Sequence, residues 1–362
     1  VFIDSGLTAN DWYRLELGGW VDIVQYRTKV GDMEYSLGGP GLDCWNAVNC
    51  MSPVLEREHL TSGSHTSKVL VAFGTIARGA PVIVIDDDIE SDYGYHMQSD
   101  LSPWEWILNN IDTYQIKVVS ISQFFPILFV SQVNNLITQI HNKGVIIVSS
   151  MGNDGRDRGD RFPQSHPYVY GISSIDHENR GGWRDGGFFG YYYDSDYKSR
   201  KGYFSGLAEE AGLDPVNHQG EHENCDDPHK PPFCSSYGSI SDASKRTDFV
   251  MPGHGVLTGT SIGGVFTYYY SYGTSFSAPY LAAAALLVHH AYAIGANKGT
   301  VPTRYPFLSV DTVLDLLKSA SSRVSWHRLY GWGYIDLYKL FVEAKELGKP
   351  ICDALMIKMG LC

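Results

Sequence analysis

The stretch Gly273-Thr-Ser-Phe-Ser-Ala-Pro-Tyr-Leu-Ala-Ala-Ala-Ala-Leu-Leu-Val288 predicts a turn of small residues followed by a helix that is apolar on nearly every side. A helix without a polar face has to be buried, so we expect it at the centre of the core. Pro279 is expected in the first helical turn, where its missing N–H breaks no hydrogen bond. Ser275 would then lie at the helix N-terminus, beside unpaired amides. Such a serine is either a helix cap or a nucleophile whose oxyanion intermediate those amides stabilise.

Upstream of this helix, short apolar runs alternate with helical patterns. Residues 81–85, 116–121 and 145–148 predict strands, and residues 104–114 and 132–142 have the periodicity of amphipathic helices. Strands separated by helices at this spacing predict a parallel sheet with crossover helices. The expected fold class is therefore α/β, with three layers: a mostly parallel, twisted sheet and helices on both of its faces.

Polar side chains follow several of these strands. Asp4 ends the first apolar run of the chain, Ser120 and Ser122 lie at the end of a later run, and Asn153 follows the next one. In parallel sheets, functional groups collect at the carboxyl ends of the strands. We therefore expect these side chains at one edge of the sheet.

Composition indicates a globular protein with a large core. The chain has 362 residues, of which 43% are hydrophobic and 19% charged. We expect one domain over residues 1–362, with surface insertions at about 7–60 and 177–245, where apolar periodicity fades into loops and short strands. The formal net charge of −12 argues against nucleic acid and anionic membrane surfaces as partners. No apolar run is long enough to predict a membrane span.

The cysteines indicate an oxidising compartment. They fall into three pairs that are close in sequence, Cys44/Cys50, Cys225/Cys234 and Cys352/Cys362. Three local disulfides are the preferred interpretation, and free thiols in a cytosolic protein are the alternative. We therefore expect an extracellular or cell-surface protein. Because Val1 opens directly on a core strand, we also expect a processed chain, with a propeptide or upstream N-terminal segment as a partner.

Four separated segments resemble the subtilisin-like serine peptidases, the subtilase family. They occur in the family's order, each in the expected strand or helix context: Val1-Phe-Ile-Asp-Ser-Gly6, Ile147-Val-Ser-Ser-Met-Gly-Asn-Asp-Gly155, Asp248-Phe-Val-Met-Pro-Gly253 and Gly273-Thr-Ser-Phe-Ser-Ala-Pro279. The resemblance implies a subtilisin-like fold and an Asp-His-Ser triad with Ser275 as the nucleophile. It also implies that Asp4 orients the imidazole, and that the Asn153 side chain and the Ser275 N–H bind the oxyanion.

The histidine segment departs from the family's pattern. The family's usual segment is His-Gly-Thr-His before an apolar helix, whereas this chain has Ser64-His-Thr-Ser-Lys68. Aligning the start of the helix selects His65, and aligning its end selects Lys68. We prefer His65, since the base must lie at the helix N-terminus facing Asp4. Lys68, His59 and His96 remain alternatives.

The resemblance also suggests how a polypeptide substrate binds. An extended peptide would pair with the strand edge at Ser120-Ile121-Ser122, which is followed by Gln123-Phe124-Phe125 where the family usually has glycines. A second candidate edge is at 91–95. Asp154 would lie at the rim of the S1 pocket, but Arg156 and Arg158 are near enough in sequence to offset its charge. The preference for the residue before the cleaved bond therefore stays open.

No cofactor is expected to be required. The run Asp86-Asp87-Asp88 carries the oxygen ligands that calcium prefers, but it lacks an EF-hand-like spacing. A solvated acidic strand end is the preferred interpretation, and a structural calcium ion stays open.

The function expected from these observations is that of a secreted serine endopeptidase that forms an acyl-enzyme on Ser275. A catalytically inactive module of the same fold, used for binding or assembly, is the alternative. A transpeptidase would use the same chemistry with an amine in place of water.

Overall fold

An eight-stranded sheet forms the middle layer of the protein. The structure is a computed structural model that describes residues 1–4, 6–7, 9–30, 33–37, 64–86, 88–91, 94–97, 101–123, 130–153, 162–175, 235, 247–262, 265–296, 308–326 and 330–349. Its strands are β1 (Phe2–Asp4), β2 (Val21–Val30), β3 (Met33–Leu37), β4 (Ala80–Asp86), β5 (Asp88–Ser91), β6 (Gly94–Met97), β7 (Val118–Ile121), β8 (Ile146–Ser150), β9 (Val169–Ile175), β10 (Thr247–Pro252), β11 (His254–Ile262) and β12 (Val265–Tyr272). Its helices are α1 (Ala9–Leu17), α2 (His65–Gly74), α3 (Ser102–Tyr114), α4 (Val130–Asn142), α5 (Thr274–Gly295), α6 (Val310–Ser319) and α7 (Leu337–Gly348).

The order of strands places β1 at a branching point of the sheet. The order is β10-β9-β8-β7-β1-β4-β2-β3, and seven strands run parallel while β3 forms an antiparallel edge. From β1 the chain first builds the side that contains β2 to β4, and then crosses to β7 on the other side. Crevices at such switch points are where open α/β sheets bind ligands. Asp4, the last residue of β1, lies at this point.

The two faces of the sheet bury separate clusters of apolar side chains. Along β1, Phe2 belongs to the cluster under α2, α5, α6 and α7, whereas Ile3 belongs to the cluster under α3 and α4. Alternation of this kind follows from the two-residue period of a strand. The predicted three-layer α/β architecture is confirmed. The helices predicted at 104–114 and 132–142 begin two residues earlier than expected.

The predicted insertion at about 7–60 is not only loops and short strands. It contains α1 and the ten-residue β2, which pairs with β4 inside the main sheet. The alternation that would have revealed β2 is interrupted, because the register shifts between Ile23 and Gln25 and a buried polar residue stands there. Part of the predicted insertion therefore belongs to the sheet.

The central helix α5 is buried as its composition predicts. It packs on β7, β8, β9 and β10 and against α2 and α7. Among the described helices, α5 alone has the length and apolar composition to cross a membrane, but 61% of that stretch is buried inside the protein. Pro279 is the sixth residue of α5, so its predicted place in the first turn is wrong. The helix begins earlier than expected and already includes Thr274 and Ser275.

Candidate active site

Asp4 and His65 form a close pair where β1 ends and α2 begins. His65 Nδ1 lies 2.7 Å from Asp4 Oδ1, and Asp4 is only 1% exposed. An ionised carboxylate only accepts hydrogen bonds, so Nδ1 carries the proton in this pair. Nε2 is then the nitrogen able to take up a proton from a neighbouring group. The His65 side chain is 34% exposed, which leaves its ring accessible from solvent.

The start of α2 is fixed by a buried serine. The Ser64 hydroxyl caps the helix by accepting from Ser67 N at 3.0 Å, and it donates to Gly6 O at 2.6 Å. Ser64 N donates to Thr260 Oγ1 on β11 at 2.8 Å. His65 is therefore the first helical residue and faces the end of β1.

Lys68, the sequence alternative to His65, lies almost one turn further along α2. Its ammonium is 5.9 Å from the centre of the Tyr269 ring. Burial lowers the pKa of Lys68, while the charges of Asp11 and Asp4 act in the opposite direction. The structure brings His65 rather than Lys68 into hydrogen-bond distance of Asp4. His59 and the His96 side chain lie outside the described residues.

Two further side chains donate to the same oxygen of Asp4. Thr66 Oγ1 lies 3.3 Å and Gln123 Nε2 lies 3.1 Å from Asp4 Oδ1. The sequence already marked both positions, since each stands where the family usually has glycine. Their contacts with the carboxylate were not predicted, because they depend on how α2 and the end of β7 approach β1.

Ser275 is the second residue of α5 and contacts Ser122 twice. Its hydroxyl donates to Ser122 O at 3.1 Å, and its carbonyl accepts from Ser122 Oγ at 2.8 Å. Pro279 has no N–H to donate to that carbonyl four residues before it, so the Ser122 hydroxyl takes the place of the missing donor. The ring of Phe276, next to Ser275, lies 6.0 Å from the ring of His65. The N-terminus of α5 and the His65–Asp4 pair therefore lie side by side.

Asn153 is held by the residue before Ser275. Its Oδ1 accepts from both N and Oγ1 of Thr274, each at 2.9 Å. Thr274 Oγ1 in turn accepts from Gly152 N at 3.0 Å. These bonds fix the orientation of the amide, so that Nδ2 keeps its two protons for other acceptors. Thr274 had no predicted role in the sequence.

Gly273 allows this approach of the two segments. Its φ of +144° is one that residues with a side chain rarely adopt. A Cβ at this position would lie 3.5 Å from Asn153 Nδ2, which is ordinary van der Waals contact, so the backbone angle rather than a lack of space favours glycine. A glycine here lets the chain turn into α5 beside the asparagine amide.

The predicted substrate-binding residues do not all have free backbone. Ser120 and Ile121 pair with β1 on one side and with β8 on the other, so a peptide has no free edge at these residues. Ser122 lies beyond the end of β7, and of the three it is the one in contact with Ser275. Asp154 and all six cysteines lie outside the described residues.

Within the described residues, no group of three or more histidine, cysteine, aspartate or glutamate side chains is arranged to hold a metal ion. Asp86, the first carboxylate of the acidic run, is buried and accepts from the Tyr26 hydroxyl at 3.1 Å. Asp87 and the Asp88 side chain lie outside the description.

Comparison with known proteins identifies the family. A family model described as "Subtilase family" matches residues 82–333, which is more than half of the chain and includes Asn153 and Ser275 but not Asp4 or His65. No match to a curated protein was found. Among solved structures, a lanthipeptide protease is similar with a TM-score of 0.56 and 16% identity, over 94% of this chain and 86% of that one. The prenylagaramide maturation protease PagA is similar with a TM-score of 0.53 and 12% identity, over 96% of this chain and 93% of that one. The chain therefore belongs to the subtilase family of serine peptidases.

Proposed function

We propose that this protein is a serine endopeptidase that hydrolyses peptide bonds through an acyl-enzyme on Ser275. The observation that supports this most strongly is the His65–Asp4 pair, with 2.7 Å between Nδ1 and Oδ1, beside the N-terminus of the helix that carries Ser275. A helix cap alone does not call for a buried carboxylate paired with a histidine. Family membership supports the same chemistry.

In this proposal His65 is the general base. Its Nε2 takes the proton of Ser275 as the hydroxyl oxygen attacks the carbonyl carbon of the substrate. Asp4 holds the imidazole in the tautomer that leaves Nε2 unprotonated, and its charge stabilises the imidazolium that forms. The same imidazolium then donates its proton to the leaving amine. Water attacks the acyl-enzyme in the second half of the reaction, with His65 again as the base.

Asn153 and the Ser275 N–H would bind the oxyanion. The two bonds from Thr274 to Asn153 Oδ1 support this role, since they leave Nδ2 as the donor group of the side chain. Donors that are fixed before the reaction stabilise the developing charge without reorganisation. The Ser275 N–H belongs to the first turn of α5, where backbone amides have no partner within the helix.

The substrate would be an extended polypeptide that binds beyond the end of β7. Ser122 is the described residue best placed to contact it, and Asp154 is proposed at the rim of the S1 pocket. A propeptide or upstream segment is proposed as a further partner. The protein is proposed to act outside the cell or at the cell surface and to consist of one domain. Its proposed disulfides are Cys44–Cys50, Cys225–Cys234 and Cys352–Cys362. No cofactor is required by the proposed reaction.

Digestion of a mixed peptide library, read by mass spectrometry, tests the proposed activity. Internal cleavages are expected with the wild-type protein and are expected to disappear in Ser275→Ala and His65→Ala. If a folded wild-type protein leaves every peptide intact, the inactive binding module becomes the better description. Products joined to an added amine, in place of hydrolysed ones, would indicate a transpeptidase.

A further inference from the structure

We propose that Gln123 is a positioning residue of the active site, which holds the Asp4 carboxylate and sets how strongly it attracts the protonated form of His65. This inference rests on the proposed function. It concerns a side chain that the sequence marked only as standing where the family usually has glycine. In the structure its amide donates a hydrogen bond to the carboxylate of Asp4, a member of the proposed triad.

Gln123 reaches Asp4 from the segment that follows β7. Its Nε2 lies 3.1 Å from Asp4 Oδ1, the same oxygen that lies 2.7 Å from His65 Nδ1. Because the carboxylate oxygen can only accept, the amide must turn Nε2 toward it. The donors from Gln123 and His65 therefore share one acceptor atom, to which Thr66 Oγ1 also donates at 3.3 Å.

The amide oxygen of Gln123 indicates that the contact with Asp4 does not serve the stability of the fold. Gln123 Oε1 is buried and has no hydrogen-bond partner among the described residues. A buried acceptor without a partner destabilises the folded state, and an apolar side chain of similar length would avoid that cost. The presence of a glutamine here is better explained by the hydrogen bond that its N–H donates to Asp4.

That N–H draws negative charge away from the oxygen that faces His65. With the donor present, the carboxylate attracts the imidazolium less strongly, so His65 stays unprotonated and able to act as a base at lower pH. Without the Gln123 donor, His65 would be easier to protonate. The acidic limb of the reaction rate plotted against pH would then move to higher pH. The carboxylate would also lose one of the groups that fix its position.

Gln123 is also adjacent to the residue that contacts the nucleophile. Ser122 bonds the carbonyl and the hydroxyl of Ser275, while Gln123 bonds Asp4. Two consecutive residues beyond β7 therefore contact both ends of the proposed triad. A change at Gln123 should act on the base without touching Ser275.

The rate of covalent labelling by a fluorophosphonate probe, measured from acidic to neutral pH, tests this role. In Gln123→Met we expect a plateau rate about tenfold lower and an acidic limb shifted to higher pH, with an unchanged or higher Tm. Gln123→Glu places a second carboxylate beside Asp4, so its limb should move further in the same direction. Gln25→Met is the matched control, because Gln25 is a buried glutamine on β2 that accepts from the Tyr114 hydroxyl. It should lower Tm and leave the limb in place.

The possible outcomes separate this inference from the function on which it rests. If wild-type protein labels at Ser275 but the limbs of Gln123→Met and Gln123→Glu coincide with that of the wild type, Gln123 has no positioning role. A lower rate that accompanies a lower Tm, without a shift of the limb, would mean a structural role only. If the folded wild-type protein does not label at all, the proposed function fails and this inference fails with it.

Discussion

At the scale of single residues, the site depends on hydrogen bonds that compensate for one another. Pro279 lies inside α5 and removes the donor for the Ser275 carbonyl, and the Ser122 hydroxyl supplies it at 2.8 Å. Asn153 is held by two hydrogen bonds that Thr274 donates to its Oδ1. Asp4, Asn153 and Ser275 were readable from sequence because they stand in recognisable segments, whereas His65 was preferred only for its place at the start of a helix. The supporting roles of Ser122, Thr274 and Gln123 were not readable from sequence, since each joins elements that are far apart in the chain.

Replacing Ser122 by alanine should destabilise the protein, because a carbonyl near the helix start loses its donor. We expect a loss of about 1–3 kcal/mol in the free energy of unfolding, measured by denaturant titration. In a Pro279→Ala background the helix regains an N–H four residues after Ser275. The same Ser122→Ala change should then cost less. Equal losses in both backgrounds would show that the Ser122 hydroxyl does not replace the missing helix donor.

Replacing Thr274 by valine should impair both the fold and the reaction. The variant keeps the backbone bond to Asn153 Oδ1 but loses the hydroxyl bond to that oxygen and the acceptor for Gly152 N, so the amide is held less firmly. We expect the fluorophosphonate labelling rate to fall about tenfold or more, approaching the 10²–10³-fold loss typical of removing an oxyanion donor outright. Thr274→Ser retains the hydroxyl and should keep most of the rate. A serine variant as slow as the valine variant would argue against the hydroxyl bond.

At the scale of elements, the position of His65 is set by a chain of contacts that begins in α1. Asp11 on α1 is fully buried and accepts from Ser261 N at 2.6 Å and from Thr260 Oγ1 at 3.2 Å. Thr260 Oγ1 accepts from Ser64 N, at the start of α2. The segment predicted as an insertion therefore supports the helix that begins at His65. Sequence patterns could not reveal this link, because it joins α1, β11 and α2 through buried polar side chains.

Asp11→Ala should loosen the start of α2. The change leaves the Ser261 N–H and the Thr260 hydroxyl without their buried acceptor, and bonds to a charged group contribute about 1.5–3 kcal/mol each. We expect a loss of about 3 kcal/mol or more in unfolding free energy, and faster hydrogen exchange at the amides of 64–67. Asp22→Ala, an exposed acid of the same segment, is the control and should change neither. If hydrogen exchange at residues 64–67 is unchanged in Asp11→Ala, α1 does not support the start of the helix that carries His65.

At the scale of the whole molecule, the fold follows from burial on both faces of one sheet. Apolar runs and helical periodicity were enough to predict the three layers, since alternate residues of central strands must enter opposite clusters. They did not predict β2, because its alternation is broken at Gln25. The order of the strands was also beyond sequence patterns, although it is what brings the end of β1 between β4 and β7.

The core also contains a group that should make stability depend on pH. His289 on α5 is half-buried, but its Nε2 is buried and has no hydrogen-bond partner in the described part of the chain. Burial, and to a smaller extent the charge of Lys117, lower the pKa of His289 to about 4. Between this pKa and the ordinary value near 6.5, the unfolded chain binds a proton that the folded protein does not. Stability should therefore fall as pH falls through this range.

His289→Leu removes this titration. Relative to wild type, we expect the variant to gain about 2 kcal/mol in unfolding free energy when the pH is lowered from 7.5 to 5. His290→Leu, at the neighbouring position on α5, is the control for the loss of one histidine. A difference between His289→Leu and wild type that is the same at both pH values would contradict the lowered pKa.

Covalent labelling of the intact protein tests the proposed Asp4–His65–Ser275 site most directly. Treated with a fluorophosphonate and measured by mass spectrometry, the wild-type protein should carry one adduct, located by peptide mapping at Ser275. The adduct should be absent in Ser275→Ala, and nearly absent in His65→Ala and Asp4→Ala, each folded by circular dichroism. A folded wild-type protein without an adduct, or full labelling of Ser275 in His65→Ala, would contradict the proposed catalytic role of this site.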